Sequence, residues 1–288
     1  MIRLPTVGWL CRNADGGCIP VDRGINALRI RGALALALVL IGVLVEPLIP
    51  AWADDISDPR YAGLGGAYTA VVSGPIAGLY NPAGIIDSPG VHGAVGASLS
   101  STWGFIVGAS VATGTGPAVA WAGDNKEIQG SFAFYILPRL KLGVGISSYE
   151  GSTDNRGLSF ALGGQYYAPP AHFGISIWGL GVGIFRGTTP VTGHLSAAFD
   201  ALPGIIVIGD ISIIPTGSEV AIGGEASFGH VSFRWGVAVH ISGGFIRAGL
   251  GVGGELFGIT VDLSGGLNGA EHHPFFSLGV GTNIPAWW

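Results

Sequence analysis

Residues 231–241 read VSFRWGVAVHI and form the clearest alternating stretch of the chain. Large apolar side chains alternate with small or polar ones over its whole length, which is the period-two pattern of a β-strand with two different faces. One face carries Phe233 and Trp235, and the other carries Arg234 and Gly236. The stretch therefore predicts a strand that lies between an apolar environment and a more polar one.

The same alternation recurs on both sides of this strand. It runs over residues 246–252, 257–263 and 276–280 toward the carboxyl terminus, and it begins near Val91 toward the amino terminus. Short connections rich in Gly, Asn, Asp and Pro separate the segments, which predicts about fourteen antiparallel strands. In the run FGISIWGLGVGIF the parity changes near Trp178, and we expect a β-bulge there.

Composition indicates where the apolar faces lie. Apolar residues make up 48% of the chain and charged residues 11%, with a mean hydropathy of +0.54, whereas a soluble domain has about 25% charged residues. No run after residue 50 reaches the roughly twenty apolar residues of a spanning helix. A closed barrel is the other architecture that satisfies every backbone group in lipid. The sequence thus predicts an all-β protein, a transmembrane antiparallel β-barrel; a soluble β-sandwich would carry more charge on its second face.

Residues 1–53 have the features of a leader with a signal peptide. A basic stretch that ends at Arg31 precedes an apolar core at residues 32–45, and Ala-Trp-Ala at residues 51–53 is a cleavage site. We expect cleavage after Ala53, because the core is short for an anchoring helix. Export of a strand-rich chain indicates the outer membrane of a Gram-negative bacterium.

The inward face of the predicted barrel carries mostly Gly, Ser and Ala, which leaves volume in the lumen. Residues 54–90 lack strand periodicity, yet they contain too many apolar side chains for a disordered tail. We therefore expect residues 54–90 to form a hatch, or plug, inside a barrel built by residues 91–288.

The stretch RYAGLGGAYTAVVSGPIAGLYNPAGI resembles the amino-terminal hatch of the FadL family of outer-membrane transporters and of the related PorV family. In those families a glycine segment leads to an Asn-Pro-Ala turn, and fourteen strands follow. The matching residues are Gly65, Gly66, Ala67 and Tyr68, followed by Asn81, Pro82 and Ala83. The strand connections are shorter than the family pattern, which puts an outer ligand groove in doubt.

The resemblance implies a function and a set of partners. A FadL-like barrel passes hydrophobic small molecules, either fatty-acid-like or aromatic, by diffusion past the hatch and sideways into membrane lipid. The bulge expected near Trp178 is one place for that exit. A PorV-like barrel docks or shuttles secreted proteins instead, and a structural barrel without cargo is a third alternative. None of these functions requires a cofactor.

Charged side chains fall on the inward parity of four successive strands. We expect these lumen charges to hold the hatch or to line a transport path, with Glu225 beside Arg234. They are Glu219, Glu225, Arg234, His240, Arg247, Glu255 and Asp262. The final residue, Trp288, continues the parity of the last apolar face and resembles the signal read by the barrel assembly machinery.

Other functions lack support in the sequence. The net charge is −5 and no basic patch occurs, so no nucleic-acid partner is expected. No nucleophile elbow or phosphate-binding loop appears in the required context. The pair His272 and His273 is interpreted as polar loop residues rather than a metal site. We therefore expect a protein that is not an enzyme and that has no catalytic, cofactor-binding or metal-binding residues.

Overall fold

The computed structural model describes residues 8–11, 18–21, 58–87, 90–100, 103–113, 117–124, 127–150, 156–180, 191–214, 217–241, 244–268 and 273–285. Most of the predicted leader and Trp288 lie outside these residues. Within the leader, strands β1 (Gly8–Cys11) and β2 (Cys18–Val21) pair with each other in antiparallel fashion.

Fourteen antiparallel strands close into one barrel, which confirms the predicted architecture and strand number. The strands are β3 (Gly90–Leu99), β4 (Trp103–Ala112), β5 (Ala118–Asp124), β6 (Glu127–Leu137), β7 (Leu140–Glu150), β8 (Arg156–Ala168), β9 (Ala171–Trp178), β10 (Thr192–Leu202), β11 (Ile205–Ile214), β12 (Gly217–Phe228), β13 (Val231–His240), β14 (Phe245–Leu256), β15 (Ile259–Asn268) and β16 (His273–Pro285). Each strand pairs with its neighbour in the sequence, and β16 pairs with β3 to close the barrel.

The two faces of each strand differ as the alternation predicts. Phe233, Trp235 and Val237 of β13 are exposed on the outside, whereas Arg234 and Ala238 are buried inside. A closed ladder leaves no unpaired strand edge, and an apolar exterior suits contact with lipid tails.

Among the described residues, the structure contains no helix of the length and hydrophobicity needed to cross a membrane.

The structure agrees with the bulge expected near Trp178. The pairs between β8 and β9 keep one register as far as Ile177, but the Leu180 N–H donates to the carbonyl oxygen of Phe160 at 3.3 Å, one residue out of that register. Trp178 and Gly179 therefore lie opposite a single residue of β8, and Gly179 has a φ angle of 76°. Further register shifts lie at Tyr135/Leu137, Asp200/Leu202 and Ala238/Val239.

The two ends of the barrel differ in their connections. Two-residue turns join β6 to β7, β8 to β9, β10 to β11, β12 to β13 and β14 to β15, all at one end. We call this end the turn end, and the first residues of β3 and the last residues of β16 lie there too. The opposite end, the loop end, holds two-residue connections between β5 and β6 and between β11 and β12, together with longer ones that include the connection between β9 and β10.

Residues 58–87, which we call the inner segment, lie inside the barrel. The segment contains helix α1 (Pro59–Gly63) and two 3-10 helices, Pro75–Leu79 and Pro82–Ile86. Helix α1 contacts β13 to β16, and the 3-10 helices contact strands on the other side of the lumen. Asp58 caps the amino terminus of the helix, because its carboxylate accepts a hydrogen bond from the Arg60 N–H, and Pro59 occupies the first turn.

We predict that the substitution Val237→Lys destabilises the barrel by about 2–4 kcal/mol, because a lysine near the middle of the lipid-facing surface must be desolvated. Urea-induced unfolding of the reconstituted barrel measures this change. Val237→Thr, which keeps the shape of the side chain without a charge, is the control. An equal loss in both variants would contradict a lipid-facing position.

Candidate functional site

Wall glycines allow the inner segment to approach the barrel closely. A β-carbon added at Gly249 would overlap the carbonyl group of Ala62, and one at Gly174 would overlap the backbone of Ala70. The wall glycines with such contacts form what we call the glycine belt: Gly143, Gly163, Gly174, Gly223, Gly236 and Gly249. All six lie on the inward parity of β7, β8, β9, β12, β13 and β14. The small inward face predicted from the sequence is therefore filled by polypeptide backbone.

The predicted glycine segment of the hatch is part of the same contact. Gly65 and Gly66 have φ angles of 63° and 93°, which favour glycine, and Gly65 lies against Gly236 of the wall. Ala67 and Tyr68, the other two residues of the segment, are buried.

The Asn-Pro-Ala turn ties three parts of the molecule together. Asn81 is fully buried, and its Oδ1 accepts a hydrogen bond from the Ala83 N–H at 3.1 Å, which caps the second 3-10 helix. Its Nδ2 donates to the carbonyl groups of Thr69 at 3.0 Å and Gly164 at 3.2 Å. Pro82 occupies the first helical position, where its missing N–H costs nothing. One side chain thus joins both halves of the inner segment to β8.

Wall side chains satisfy further carbonyl groups of the inner segment. Gln165 Nε2 donates to the carbonyl oxygen of Thr69 at 3.2 Å and to that of Val72 at 3.1 Å. Lys141 Nζ donates to Gln165 Oε1 at 2.9 Å and also binds Asp87, at the end of the inner segment. These bonds matter because a buried carbonyl group without a partner costs about 1–3 kcal/mol.

Two more inward side chains form hydrogen bonds with backbone groups of the inner segment. Gln129 Nε2 donates to the carbonyl oxygen of Gly78, and Asp210 Oδ2 accepts from the Thr69 N–H at 3.2 Å. Gln129 and Asp210 are both almost completely buried.

The predicted lumen charges divide into separate groups. Glu225 Oε2 lies 2.6 Å from Arg234 Nε and 3.1 Å from Arg60 Nε, and Arg234 also pairs with Asp262. We call these four residues the ion network. Since Arg60 belongs to the inner segment and the other three belong to β12, β13 and β15, the ion network holds the segment to the wall.

Asp58 and Arg60 of the inner segment have shifted pKa values. Burial, together with the nearby Asp262, outweighs the backbone hydrogen bonds that lower the pKa of Asp58, so that this pKa is raised to about 6. Burial alone would lower the pKa of Arg60, but the carboxylates of Glu225 and Asp262 raise it, so its guanidinium group stays charged.

The other predicted charges lie apart from the ion network. Glu219 Oε2 is 3.5 Å from Arg247 Nη2, and His240 lies opposite Glu219 in the ladder. Arg247 also lies over the ring of Tyr61, 5.0 Å from its centroid. Glu255 is exposed near the turn end.

Three tyrosines of the inner segment form an aromatic cluster between these charges. The ring of Tyr61 stacks on that of Tyr80 with centroids 4.8 Å apart, and Tyr68 meets Tyr80 edge-on at 5.4 Å. Arg60 lies over Tyr68 at 5.6 Å. The cluster therefore packs apolar surface in the middle of a lumen whose wall is largely polar.

Ser212, His194 and Asp210 have the residue types of a hydrolase triad but not its geometry. Ser212 Oγ lies 2.9 Å from His194 Nδ1, and Asp210 Oδ1 lies 3.5 Å from the same nitrogen. A proton relay needs the serine and the carboxylate on different nitrogens. Within the described ranges, no group of three or more His, Cys, Asp or Glu side chains is placed to hold a metal ion. His272 and the side chain of His273 lie outside the described residues.

Two cavities flank the inner segment at the turn end. The larger, which we call the turn-end cavity, has a volume of about 950 Å³. Its lining combines apolar, aromatic and charged side chains, among them Val71, Tyr135, Lys141, Tyr167, Ile206 and Glu225. The smaller, of about 370 Å³, lies between residues 73–76 and the wall formed by β15, β16, β3 and β4. Arg60 and Ser73 line both cavities and separate them.

Sequence reasoning missed the wall residues that bind the inner segment, Gln129, Lys141, Gln165 and Asp210. All four lie on the inward parity of their strands, so the alternation of apolar residues was a usable signal. For example, Lys141 stands between Leu140 and Leu142. Nothing in the pattern indicates which backbone group each side chain meets.

No protein-family model matches this chain, and no curated protein sequence matches it. Among solved structures, the CymD monoaromatic hydrocarbon channel matches 79% of this chain and 97% of its own, with a TM-score of 0.60 and 13% sequence identity. A variant of the Rhodopseudomonas blastica porin matches 68% of this chain and 99% of its own, with a TM-score of 0.44 and 10% identity.

The chain therefore has the fold of a FadL-type outer-membrane barrel, which confirms at the level of the fold the resemblance carried by the hatch motif. The CymD structure is that of a channel rather than an enzyme.

We predict that Gly143→Ala and Gly174→Ala loosen the inner segment, because the new methyl group overlaps its backbone at either site. Such overpacking costs about 1–3 kcal/mol. Faster proteolytic cleavage within residues 58–87 of the folded barrel would report the change.

The matched controls for these substitutions are Gly130→Ala and Gly209→Ala, since a β-carbon at either position meets no atom within 4 Å. Equal cleavage rates in all four variants and the wild type would show that the glycine belt does not hold the segment.

We also predict that Arg234→Ala raises the leak conductance of the barrel in planar bilayers. The substitution leaves Glu225 and Asp262 without a shared cation, and breaking a buried ion pair on one side costs about 3–5 kcal/mol. Arg139→Ala, an exposed arginine at the turn end, is the control. Unchanged conductance and current noise in Arg234→Ala would contradict a role of the ion network in holding the inner segment to the wall.

Proposed function

We propose that this protein is an outer-membrane channel for hydrophobic small molecules, fatty-acid-like or aromatic, in which the inner segment is the hatch. The observation that supports it most is a cavity of about 950 Å³ beside a segment held in the lumen of an apolar-surfaced barrel. A volume of this size is typical of small-molecule sites. The fold shared with a monoaromatic hydrocarbon channel supports the same proposal.

Passage requires a barrier that opens without unfolding the barrel. The inner segment suits this role because local contacts hold it, namely the glycine belt, the bonds of Asn81 and the ion network, while the fourteen strands close independently of it. Loss of one local contact can shift the segment while the wall stays intact. Diffusion past it needs no covalent step and no cofactor.

We further propose the setting in which the channel works. The hatch comprises residues 54–90, the leader ending at Ala53 directs export, and the organism is a Gram-negative bacterium. Trp288 is the signal for the barrel assembly machinery. The short connections between strands favour transport over the docking of secreted proteins, which needs a larger surface outside the membrane.

We predict that Asn81→Ala increases the uptake of a fluorescent long-chain fatty acid several-fold in cells that express the barrel. The reason is the loss of its bonds to Thr69, Gly164 and Ala83, which fix the hatch turn. Uptake is compared with cells lacking the barrel, after heat-modified gel mobility has shown that each variant is folded.

The control variant is Val119→Ala on the outer face, where the side chain is exposed to lipid. Wild-type uptake equal to that of cells without the barrel, for a fatty acid and for a neutral aromatic dye alike, would contradict the proposed function.

A further inference from the structure

The smaller cavity combines polar side chains of the inner segment with polar side chains of the wall. Asp58 and Arg60 reach it from the start of the inner segment, and Glu255, Asp262 and Asn283 reach it from β14, β15 and β16. Its volume of about 370 Å³ has room for several water molecules. A small hydrophilic ligand that bound there would contact both parts of the molecule.

Negative charge around the smaller cavity exceeds positive charge. The ion network that borders it is neutral, because it holds two arginines and two carboxylates. Asp58 and Glu255 line the cavity as well, and neither forms an ion pair with another described residue. The cavity therefore has an excess of two negative charges when both carboxylates are ionised, which favours a cation as the ligand.

Two oxygen atoms at this cavity are buried without a hydrogen-bond partner among the described residues. Asp58 is only 6% exposed, and its Oδ1 accepts from the Arg60 N–H while its Oδ2 has no partner. Oδ1 of Asn283, which lies opposite His92 between β16 and β3, has none either. Because a buried carboxylate oxygen without a partner is costly, both atoms are suited to a ligand that oxygen can bind.

The carboxylate of Asp58 has a fixed position, as a binding site requires. Pro59 packs against Gly279 of the wall so closely that a β-carbon added at Gly279 would lie 2.7 Å from Pro59 Cγ. On its other side, Asp58 is held by the hydrogen bond that caps helix α1. The start of the inner segment is therefore fastened beside β16, with Oδ2 of Asp58 left over.

We propose that the smaller cavity binds a calcium ion, which joins Asp58 of the inner segment to Asn283 and Glu255 of the wall. Calcium takes carboxylate oxygens, amide oxygens and water as ligands and tolerates irregular geometry, whereas magnesium requires a near-ideal octahedron. The described residues hold no cluster of three or more His, Cys, Asp or Glu ligands, so the amide oxygen of Asn283 and water complete the coordination. The site is separate from the turn-end cavity, and the proposal does not rest on the channel function.

The substitution Asp58→Asn tests this site without disturbing the helix. Asparagine removes the charge but keeps an oxygen that caps a helix as well as aspartate does. The matched control is Asp200→Asn, which removes the same charge from an exposed carboxylate outside the smaller cavity. Isothermal titration calorimetry measures calcium binding to the purified, folded barrel in a zwitterionic detergent.

We expect wild-type protein to bind one calcium ion with a dissociation constant of about 0.1–1 mM, the range of extracellular calcium modules. We expect Asp58→Asn to weaken binding by roughly tenfold or more, because it removes a charged ligand, and Asp200→Asn to leave it unchanged. Asn283→Ala, which removes the amide oxygen, should also weaken binding and serves if Asp58→Asn does not fold.

A second measurement tests whether the ion fastens the inner segment. Calcium should slow proteolytic cleavage within residues 58–87, relative to a chelator, in wild type and in Asp200→Asn but not in Asp58→Asn. Absence of saturable calcium binding to folded wild-type protein, or equal affinity in wild type and Asp58→Asn, would overturn the site. Calcium binding that leaves the cleavage rate unchanged would overturn its role in joining the segment to the wall. Uptake of hydrophobic molecules is not measured, so the channel function is tested independently of all these outcomes.

Discussion

Close contact between the backbone of the inner segment and the glycines of the wall determines how the lumen is filled. An irregular segment fits in the lumen only where the wall has no side chains in its path, and Gly236 and Gly249 provide that space beside Leu64 and Ala62. The inner segment contributes glycine in return, since Gly65 adopts a positive φ angle where it lies against Gly236. The abundance of glycine in this chain thus has a packing reason, despite its cost in conformational entropy.

Close packing also creates a demand for hydrogen bonds. Backbone groups that are pressed against the wall lose water, and a segment outside regular structure cannot satisfy them all internally. The wall supplies these partners through long polar side chains at a few positions. Gln165, for example, donates hydrogen bonds to the carbonyl groups of Thr69 and Val72. Within the ion network, Glu225 likewise binds the guanidinium group of Arg60. The result is a lumen closed by polypeptide near its middle, with cavities remaining toward the turn end.

Period-two alternation was sufficient to predict the barrel, its strand number and the inward parity, because lipid on one side forces every strand to obey the same pattern. It also located the irregularity near Trp178, where the register of β9 against β8 shifts by one residue between Ile177 and Leu180. The partners of Lys141 and Asp210 were beyond prediction. A hydrogen bond to an irregular backbone depends on the path of that backbone in three dimensions, which no spacing along the chain records.

The most direct test of the central claim is a disulfide between the inner segment and the wall. A β-carbon built on Gly78 lies 3.8 Å from that of Ser131, the separation typical of a disulfide. We predict that Gly78→Cys combined with Ser131→Cys, in a chain without its native cysteines, oxidises in the folded membrane barrel and changes its mobility in a non-reducing denaturing gel. Gly78→Cys combined with Gly130→Cys, on the outer parity, should stay reduced. Oxidation of both pairs or of neither would contradict an inner segment that packs inside the lumen.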